Sequence, residues 1–302
     1  MELSFPSNCL HAIYQSPKDE MSTPLLSVIT VTHNHAEFIG RCLTALVPEV
    51  EAIGGEVIAI DNLSDDNSAE IICQFPTVKL VVNPERRGFS ANNNYGMAIA
   101  QGRYILLLNP DTEVLPGALS TLIAFMDAHP QVGMCAAQLL FPDGSIQPSP
   151  RRFPTVGSAI ARRTPIRHFL KNSQFNRRHL MLDVNHSKPF AVDWLLGACM
   201  FIRREVLETV GPLDEGFFLY VEDIDWAQRM HRAGWEIFYV PTAKIIHHHL
   251  AVSDKKLFSR HMWLHLKSMW RYARRYWLTH IPGLSMRRIR TKIWDATRSS
   301  HP

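Results

Sequence analysis

Asn109 and Asp111 put an amide and a carboxylate one residue apart, directly after the apolar run Tyr104 to Leu108. A short, unbroken apolar run reads as a strand buried on both faces of a sheet. Pro110 cannot donate a ladder hydrogen bond, so the strand ends there and presents the pair at its carboxyl edge. Open α/β sheets bind their ligands at that edge, although an Asx-Pro turn would produce the same three residues. Three other groups could share such a site. Asp61 follows the apolar run Glu56 to Ile60. Glu222, Asp223 and Asp225 are clustered carboxylates, whose mutual repulsion should raise at least one pKa. The same three would also be favoured as the first-turn charges of a helix. His247, His248 and His249 are consecutive, so on a strand His248 must point away from the other two. Carboxylates and imidazole of this kind can hold a hard divalent cation or accept a proton.

The elements that must carry these residues alternate. Leu25 to Thr32 is an apolar, β-branched strand, followed by a helical pattern from Glu37 to Val47. Glu56 to Ile60 is a second strand, with a polar loop from Asp61 to Ser68 before the helix Ala69 to Cys73. Lys79 to Val82 is a third strand, and Gly88 to Ala100 leads into another helix. This order implies a mostly parallel sheet with right-handed crossovers. The turn after the first strand is Thr-His-Asn-His-Ala, with no G-x-G-x-x-G, which argues against NAD or FAD; a P-loop is also absent. Beyond the helix Gly117 to Ala128, a strand spans Val132 to Leu140. Residues 151 to 188 have few patterns and read as a long active-site loop. Val192 to Ile202 returns to a strand, interrupted at Gly197-Ala198. A helix through Ala233 stops at Gly234, and two strands follow, Glu236 to Val240 and Ala243 to Ile246.

Composition bounds the reading. A chain of 302 residues, 46% hydrophobic, suits one large α/β domain. The five cysteines are scattered without a C-x-x-C pair, which argues against a disulfide framework or zinc site and fits a reducing cytosol. No apolar run reaches transmembrane length. The net charge of +4 is uneven: ten basic residues against Asp295 lie in 260–302, and nine against Asp183 in 151–188. Such patches suit a polyanionic partner such as a membrane surface, a lipid phosphate or nucleic acid.

The ordered set Ser27-Val-Ile-Thr-Val-Thr-His-Asn34, Ile60-Asp-Asn-Leu-Ser64, Arg87-Gly-Phe89, Asn94-Tyr-Gly96 and Leu108-Asn-Pro-Asp-Thr112 resembles family 2 glycosyltransferases. Gly197-Ala198, Phe217-Phe-Leu-Tyr-Val-Glu-Asp-Ile-Asp225 and His247 continue the resemblance, which is nearest to the bacterial rhamnosyltransferase-like branch and covers roughly residues 25 to 250. It implies a GT-A (nucleotide-diphospho-sugar transferase) fold, a mostly parallel mixed sheet flanked by helices. It also implies inverting transfer from a nucleotide-diphosphate sugar, such as dTDP-rhamnose or a UDP-sugar, with Mg²⁺ or Mn²⁺. The acceptor would be a saccharide or lipid-linked hydroxyl in cell-surface polysaccharide synthesis, with no nucleic acid as partner. Carried over, Asp61 would bind the pyrimidine, and Thr32, Asn34, Gly88, Asn94 and Gly197 would shape the nucleotide-sugar pocket. Asn109 and Asp111 occupy the metal motif, with His247 as a further metal ligand. Asp223 takes the position of the catalytic base, with Glu222 beside it. The commoner metal motif has two aspartates, so Asn109 removes one charge. Two alternatives fit less well. A sugar-1-phosphate nucleotidylyltransferase needs a glycine-rich loop after the first strand, and a silent polyanion binder would not need Asp111, Asp223 and His247 together.

Three regions are expected: an extension 1–24, a catalytic domain 25–252 and a basic tail 253–302. Trp263, Trp270 and Trp277 recur every seven residues with Leu266, Met269 and Ala273 between them, while Arg260, Lys267, Arg271 and Arg274 share another helical face. Aromatic and basic faces suggest a helix lying on the inner membrane surface of a cytoplasmic, peripheral enzyme. The alternatives are a tryptophan stripe packed on the catalytic domain or against another chain.

Overall fold

The computed structural model describes residues 23–155, 173–248 and 260–278. The first half is a run of crossovers: β1 (Leu26–Thr32), α1 (Ala36–Ala52), β2 (Glu56–Asp61), α2 (Ser68–Ile72), β3 (Val78–Val82), α3 (Phe89–Ile99) and β4 (Tyr104–Leu108). These four strands are parallel, in the order β3-β2-β1-β4. The path moves outward from β1 to β3 and then returns past both to β4. Right-handed crossovers therefore place α3 on the opposite face from α1 and α2. Gly96 lets α3 press onto that face, since a Cβ there would lie 2.5 Å from Ile29 Cγ2.

The second half makes the sheet mixed. After β5 (Thr112–Val114), α4 (Ala118–Ala128) and β6 (Val132–Leu140), the chain passes through β7 (Pro150–Arg151), α5 (Gln174–His179), β8 (Phe190–Ala191) and β9 (Trp194–Leu195). It continues with β10 (Cys199–Arg203), α6 (Glu205–Thr209), α7 (Glu222–Arg232), β11 (Glu236–His247) and α8 (Arg260–Tyr276). The main sheet continues β4-β10-β6-β11-β5, with β8 beside β11. β10 runs antiparallel to β4 and β6, and β11 runs parallel to β6. Buried Arg203 ends β10 and donates to the carbonyls of Val132, Met126 and His129, satisfying the end of α4.

Several boundaries differ from expectation. The predicted Val192–Ile202 strand is two strands, β9 and β10, divided at Leu196–Ala198, with β9 paired to β7 outside the main sheet. Conversely, the two strands predicted after Gly234 are one, β11, with a register shift between Val240 and Lys244 where Pro241 cannot donate. The first helix runs beyond Val47, through Pro48, to Ala52. Residues 156–172 of the predicted active-site loop lie outside the described residues, as do 1–22 and His249. Cys42, Cys135 and Cys199 are free and buried. Cys73 is disulfide-bonded, a cross-link of which the scattered spacing gives no sign.

Candidate active site

Strand direction gathers the candidate residues at one edge. Thr32 pairs with Asp61 at the carboxyl ends of β1 and β2, and Asn109 follows the end of β4. Because β10 is antiparallel, its first residue Cys199 pairs with Leu108, which brings Gly197-Ala198 to the same edge. The Asn109 N–H donates to the Ala198 carbonyl at 3.0 Å. β11 arrives from the other side and ends there too, with His247 paired to Thr112.

Asp61 is buried. Its Oδ2 accepts from the Ser64 N–H at 3.0 Å, and its Oδ1 has no hydrogen-bond partner among the described residues. An orphaned carboxylate oxygen at a ligand-binding edge is an unfilled acceptor. The loops around it are held by side-chain amides that the sequence reading passed over. Asn62 Oδ1 accepts from the Arg87 N–H and from Asn83 Nδ2, which also donates to Asn92 Oδ1 at 2.5 Å. In the sequence Asn62 is only one member of the polar loop from Asp61 to Ser68. The available signal was the asparagine run 92–94 in α3, with Asn62 and Asn83 following β2 and β3.

Other expected pocket residues have structural tasks. Asn34 adopts a left-handed backbone, φ 58°, and its Oδ1 accepts from the Asp65 N–H, tying two turns together. Asn94 donates to the Leu213 carbonyl and Glu215, and accepts from the Leu213 N–H. Gly88 is needed where the chain passes Phe218, because a Cβ would lie 2.8 Å from the Phe218 carbonyl oxygen. Gly88 and Asn94 line an open groove of about 510 Å³ with Arg87, Ala91, Tyr95 and Glu215. None of Asp61, Asp111 or Asp223 lines that groove.

Asp111 and His247, 136 positions apart, meet. Asp111 Oδ1 lies 3.4 Å from His247 Nε2; it is buried and makes no hydrogen bond among the described residues. His247 Nδ1 lies 2.8 Å from Gln147 Oε1. With that carbonyl oxygen accepting the Nδ1 proton, Nε2 turns its lone pair toward the carboxylate. Two electron-rich atoms facing each other at this distance suit a bound cation. Burial raises the Asp111 pKa. When Nε2 instead carries a proton His247 pairs with Asp111, and that pairing, with His35, outweighs the effect of burial and holds the carboxyl below its usual range. His248 turns to the other side, 2.6 Å from Glu113 and packed on the ring of Phe38. The Asn109 side chain is partly exposed. No group of three or more His, Cys, Asp or Glu converges among the described residues. A cation here would therefore complete its shell with non-protein oxygens, as Mg²⁺ commonly does with phosphates and water.

The carboxylate cluster separates into three environments. Asp223 is partly exposed; its Oδ2 accepts from the Gly197 N–H at 3.2 Å and its Oδ1 from the Ile224 N–H at 2.8 Å. Burial raises its pKa to about 6 against these bonds. Glu222 is buried, with Oε2 unpartnered among the described residues; burial first, and Asp223 second, push its pKa well up. Desolvation, more than the mutual repulsion expected from sequence, thus dominates both. Asp225 is 0% exposed and fully engaged by Arg229 at 2.9 Å, Arg275 at 2.7 Å and the Tyr276 hydroxyl at 2.8 Å. It does not cap α7, whose N-cap is Val221.

The Glu222 environment has a thermodynamic consequence. The folded state keeps a proton there that the unfolded chain releases above its ordinary pKa, so this residue's contribution to stability is lost as pH rises. Glu222→Gln should therefore raise the melting temperature at pH 8 by about 2–4 °C and change it little at pH 4, measured by calorimetry. An equal change at both values would place the residue in a solvated setting instead.

Comparisons with known proteins agree with this arrangement. The family model described as "Glycosyl transferase family 2" matches residues 27–211. The chain is 28% identical over 245 residues to the N-acetylglucosaminyl-diphospho-decaprenol L-rhamnosyltransferase of Mycobacterium tuberculosis, covering 75% of this chain and 76% of that protein. It is 28% identical over 271 residues to the rhamnosyltransferase WbbL of Escherichia coli K12, covering 83% and 93%. Among solved structures, GalNAc-T7 with UDP, GalNAc and Mn²⁺ superposes with a TM-score of 0.56 at 17% identity, covering 74% of this chain and 42% of that one. Staphylococcus aureus TarS gives 0.52 at 17% identity, covering 74% and 36%. The chain spans less than half of either structure, and these likenesses bear on the fold, which is GT-A. With the family model matching well over half of its length, the chain belongs to glycosyltransferase family 2.

Proposed function

We propose that this glycosyltransferase moves L-rhamnose from dTDP-rhamnose, with inversion, to a sugar hydroxyl on a lipid-linked acceptor in cell-surface polysaccharide assembly. The names of the mycobacterial and E. coli relatives support the donor sugar, and the former supports an N-acetylglucosaminyl-diphospho-polyprenol acceptor. One observation carries the reaction type: Asp223 is held by backbone N–H groups of Gly197 and Ile224, with its pKa raised to about 6. Such a carboxylate is ionised at neutral pH yet basic enough to take a hydroxyl proton as that oxygen bonds to the anomeric carbon. The leaving nucleoside diphosphate departs from the opposite face. Asp61, with its unfilled Oδ1, is assigned to the nucleotide base, with Thr32 beside it on β1 and Asn109 one strand further along the sheet edge. Asp111 and His247 would hold the divalent cation, Mg²⁺ or Mn²⁺, which supplies charge neutralisation for the diphosphate. Gln147 fixes the His247 tautomer.

The tail fits a membrane surface. No helix among the described residues is long and apolar enough to span a bilayer. Trp263 and Trp270 are 63% and 61% exposed on α8, with Leu266 beside them. Lys267 and Arg274, expected on a separate face, instead lie on the same side of the helix as these tryptophans, a composition suited to an anionic interface. Trp277 differs from the expected stripe and packs edge-on against Tyr272. Arg271 also leaves the expected basic face and pairs with Asp214. A location on the inner face of the membrane is the corresponding proposal.

Three measurements test these assignments. With radiolabelled dTDP-rhamnose and a prenyl-diphosphate-linked N-acetylglucosamine acceptor, turnover should rise with pH through about 6 and then level. Asp223→Asn should lose roughly 10²–10⁴-fold in kcat while binding dTDP normally; near-normal turnover would remove it as base, and turnover with UDP-sugars alone would change the donor. Mn²⁺-dependent binding of dTDP, followed by calorimetry, should weaken about tenfold or more in His247→Ala and little in His248→Ala. Equal effects would reject His247 as ligand. The double variant Trp263→Ser/Trp270→Ser should leave anionic vesicles in a sedimentation assay; undiminished binding would assign the tail another surface.

A further inference from the structure

The contacts of α8 converge on residues 214–232, the stretch that carries the carboxylate assigned above as base. Arg271 and Arg275 both reach Asp214, at 2.9 Å each. Ser268 Oγ donates to the Leu219 carbonyl at 3.0 Å, and the His265 ring stacks on Tyr220. Arg275 and Tyr276 close on Asp225 from the other side. Between these anchors Tyr220 and Val221 have φ of 69° and 72°. Consecutive left-handed residues that are not glycine are disfavoured, most of all for a β-branched side chain, and persist only where the surroundings hold them. Asp223 lies two residues beyond that strained turn, and Gly88 sits against its Phe218 end.

We propose that α8 is a positioning element of the active site: through Ser268, Arg275 and Tyr276 it holds the strained turn Tyr220–Val221 and thereby sets the aim of Asp223. The inference rests on Asp223 as base, but its structural half does not. A carboxylate displaced by one ångström loses much of its effect on the transition state while leaving donor binding untouched. Asp225 acts here as the receptor for the helix and takes no part in proton transfer.

The test uses the full-length chain with Arg275→Ala and Tyr276→Phe, singly and together. Three quantities are read: kcat, the affinity for dTDP by calorimetry, and amide hydrogen exchange. The expected result is a fall in kcat of about 10- to 100-fold in the double variant, dTDP affinity within about twofold, and faster exchange confined to 219–224 and α8. Arg275→Lys, which keeps a cation facing Asp214 and Asp225, should recover part of the loss. Unchanged kcat, or slow exchange in 219–224 despite release of α8, overturns the proposal. So does a joint fall of kcat and dTDP affinity with faster exchange throughout, which marks general destabilisation. If the double variant does not fold, Ser268→Ala, which removes only the bond to Leu219, is read by the same criteria. Exchange requires no donor, so a failure of Asp223 as base would show in Asp223→Asn while the effect on the turn remained visible.

Discussion

Three buried carboxyl oxygens without hydrogen bonds among the described residues, on Asp61, Asp111 and Glu222, set the terms for the rest of the structure. A buried, unsatisfied carboxylate is among the most costly features a fold can retain, on the order of several kcal/mol while it is charged, and Glu222 lowers that cost by keeping its proton. They are tolerated because the sheet beneath is closely packed and largely apolar. Every side chain of β4 is buried, as are most in β1 and β2, and the register between them is regular. Two of these residues lie at the carboxyl edge, where a ligand can supply what the protein withholds. A site built in this way binds more strongly because its polar groups are unfilled beforehand.

The parallel half of the fold was legible because parallel strands advertise themselves as unbroken apolar runs separated by amphipathic helices. Even the clustering of Asp61 and Asn109 follows from strand direction alone. The antiparallel β10 was not legible, since a strand buried on both faces carries no mark of its direction. That single reversal is what places Gly197 beside Asp223. Pairings across long separations were hidden for a similar reason. Gln147 contacts His247 across one hundred positions, and nothing near either residue announces it. The Asn62–Asn83–Asn92 network was partly visible as composition, yet its function needed the geometry. Glycines at 88 and 96 carried a resemblance in sequence, and the structure gives each a packing reason.

The cluster Glu222-Asp223-Ile224-Asp225 shows how one helical turn separates three identical chemistries. Helix geometry sends adjacent side chains about 100° apart, so each carboxylate meets a different wall. Glu222 enters the core and favours its proton; Asp225 meets two arginines and a tyrosine. Asp223 faces backbone donors at the edge of the site. Sequence could identify the cluster but could not divide it, because apart from Arg229, four residues beyond Asp225, the groups that divide it come from Gly197 and from α8.

The tail illustrates the same limit with a different result. Its heptad of tryptophans suggested one apolar face, either on lipid or on protein. The structure gives α8 two faces: Ser268, Tyr272 and Tyr276 are buried against the catalytic domain, while Trp263 and Trp270 are exposed. Tyrosine and serine serve the inner face because they reach carbonyl and carboxylate acceptors while filling volume. The tryptophans need no such partner on the outer face if that face meets an interface of mixed polarity. Packing and surface attachment are therefore not alternatives for this helix, because the two sets of residues lie on different sides of it. A surface that engages the outer face acts on the same rigid element that grips Asp225, which links the place where an acceptor would be presented to the turn that aims the base.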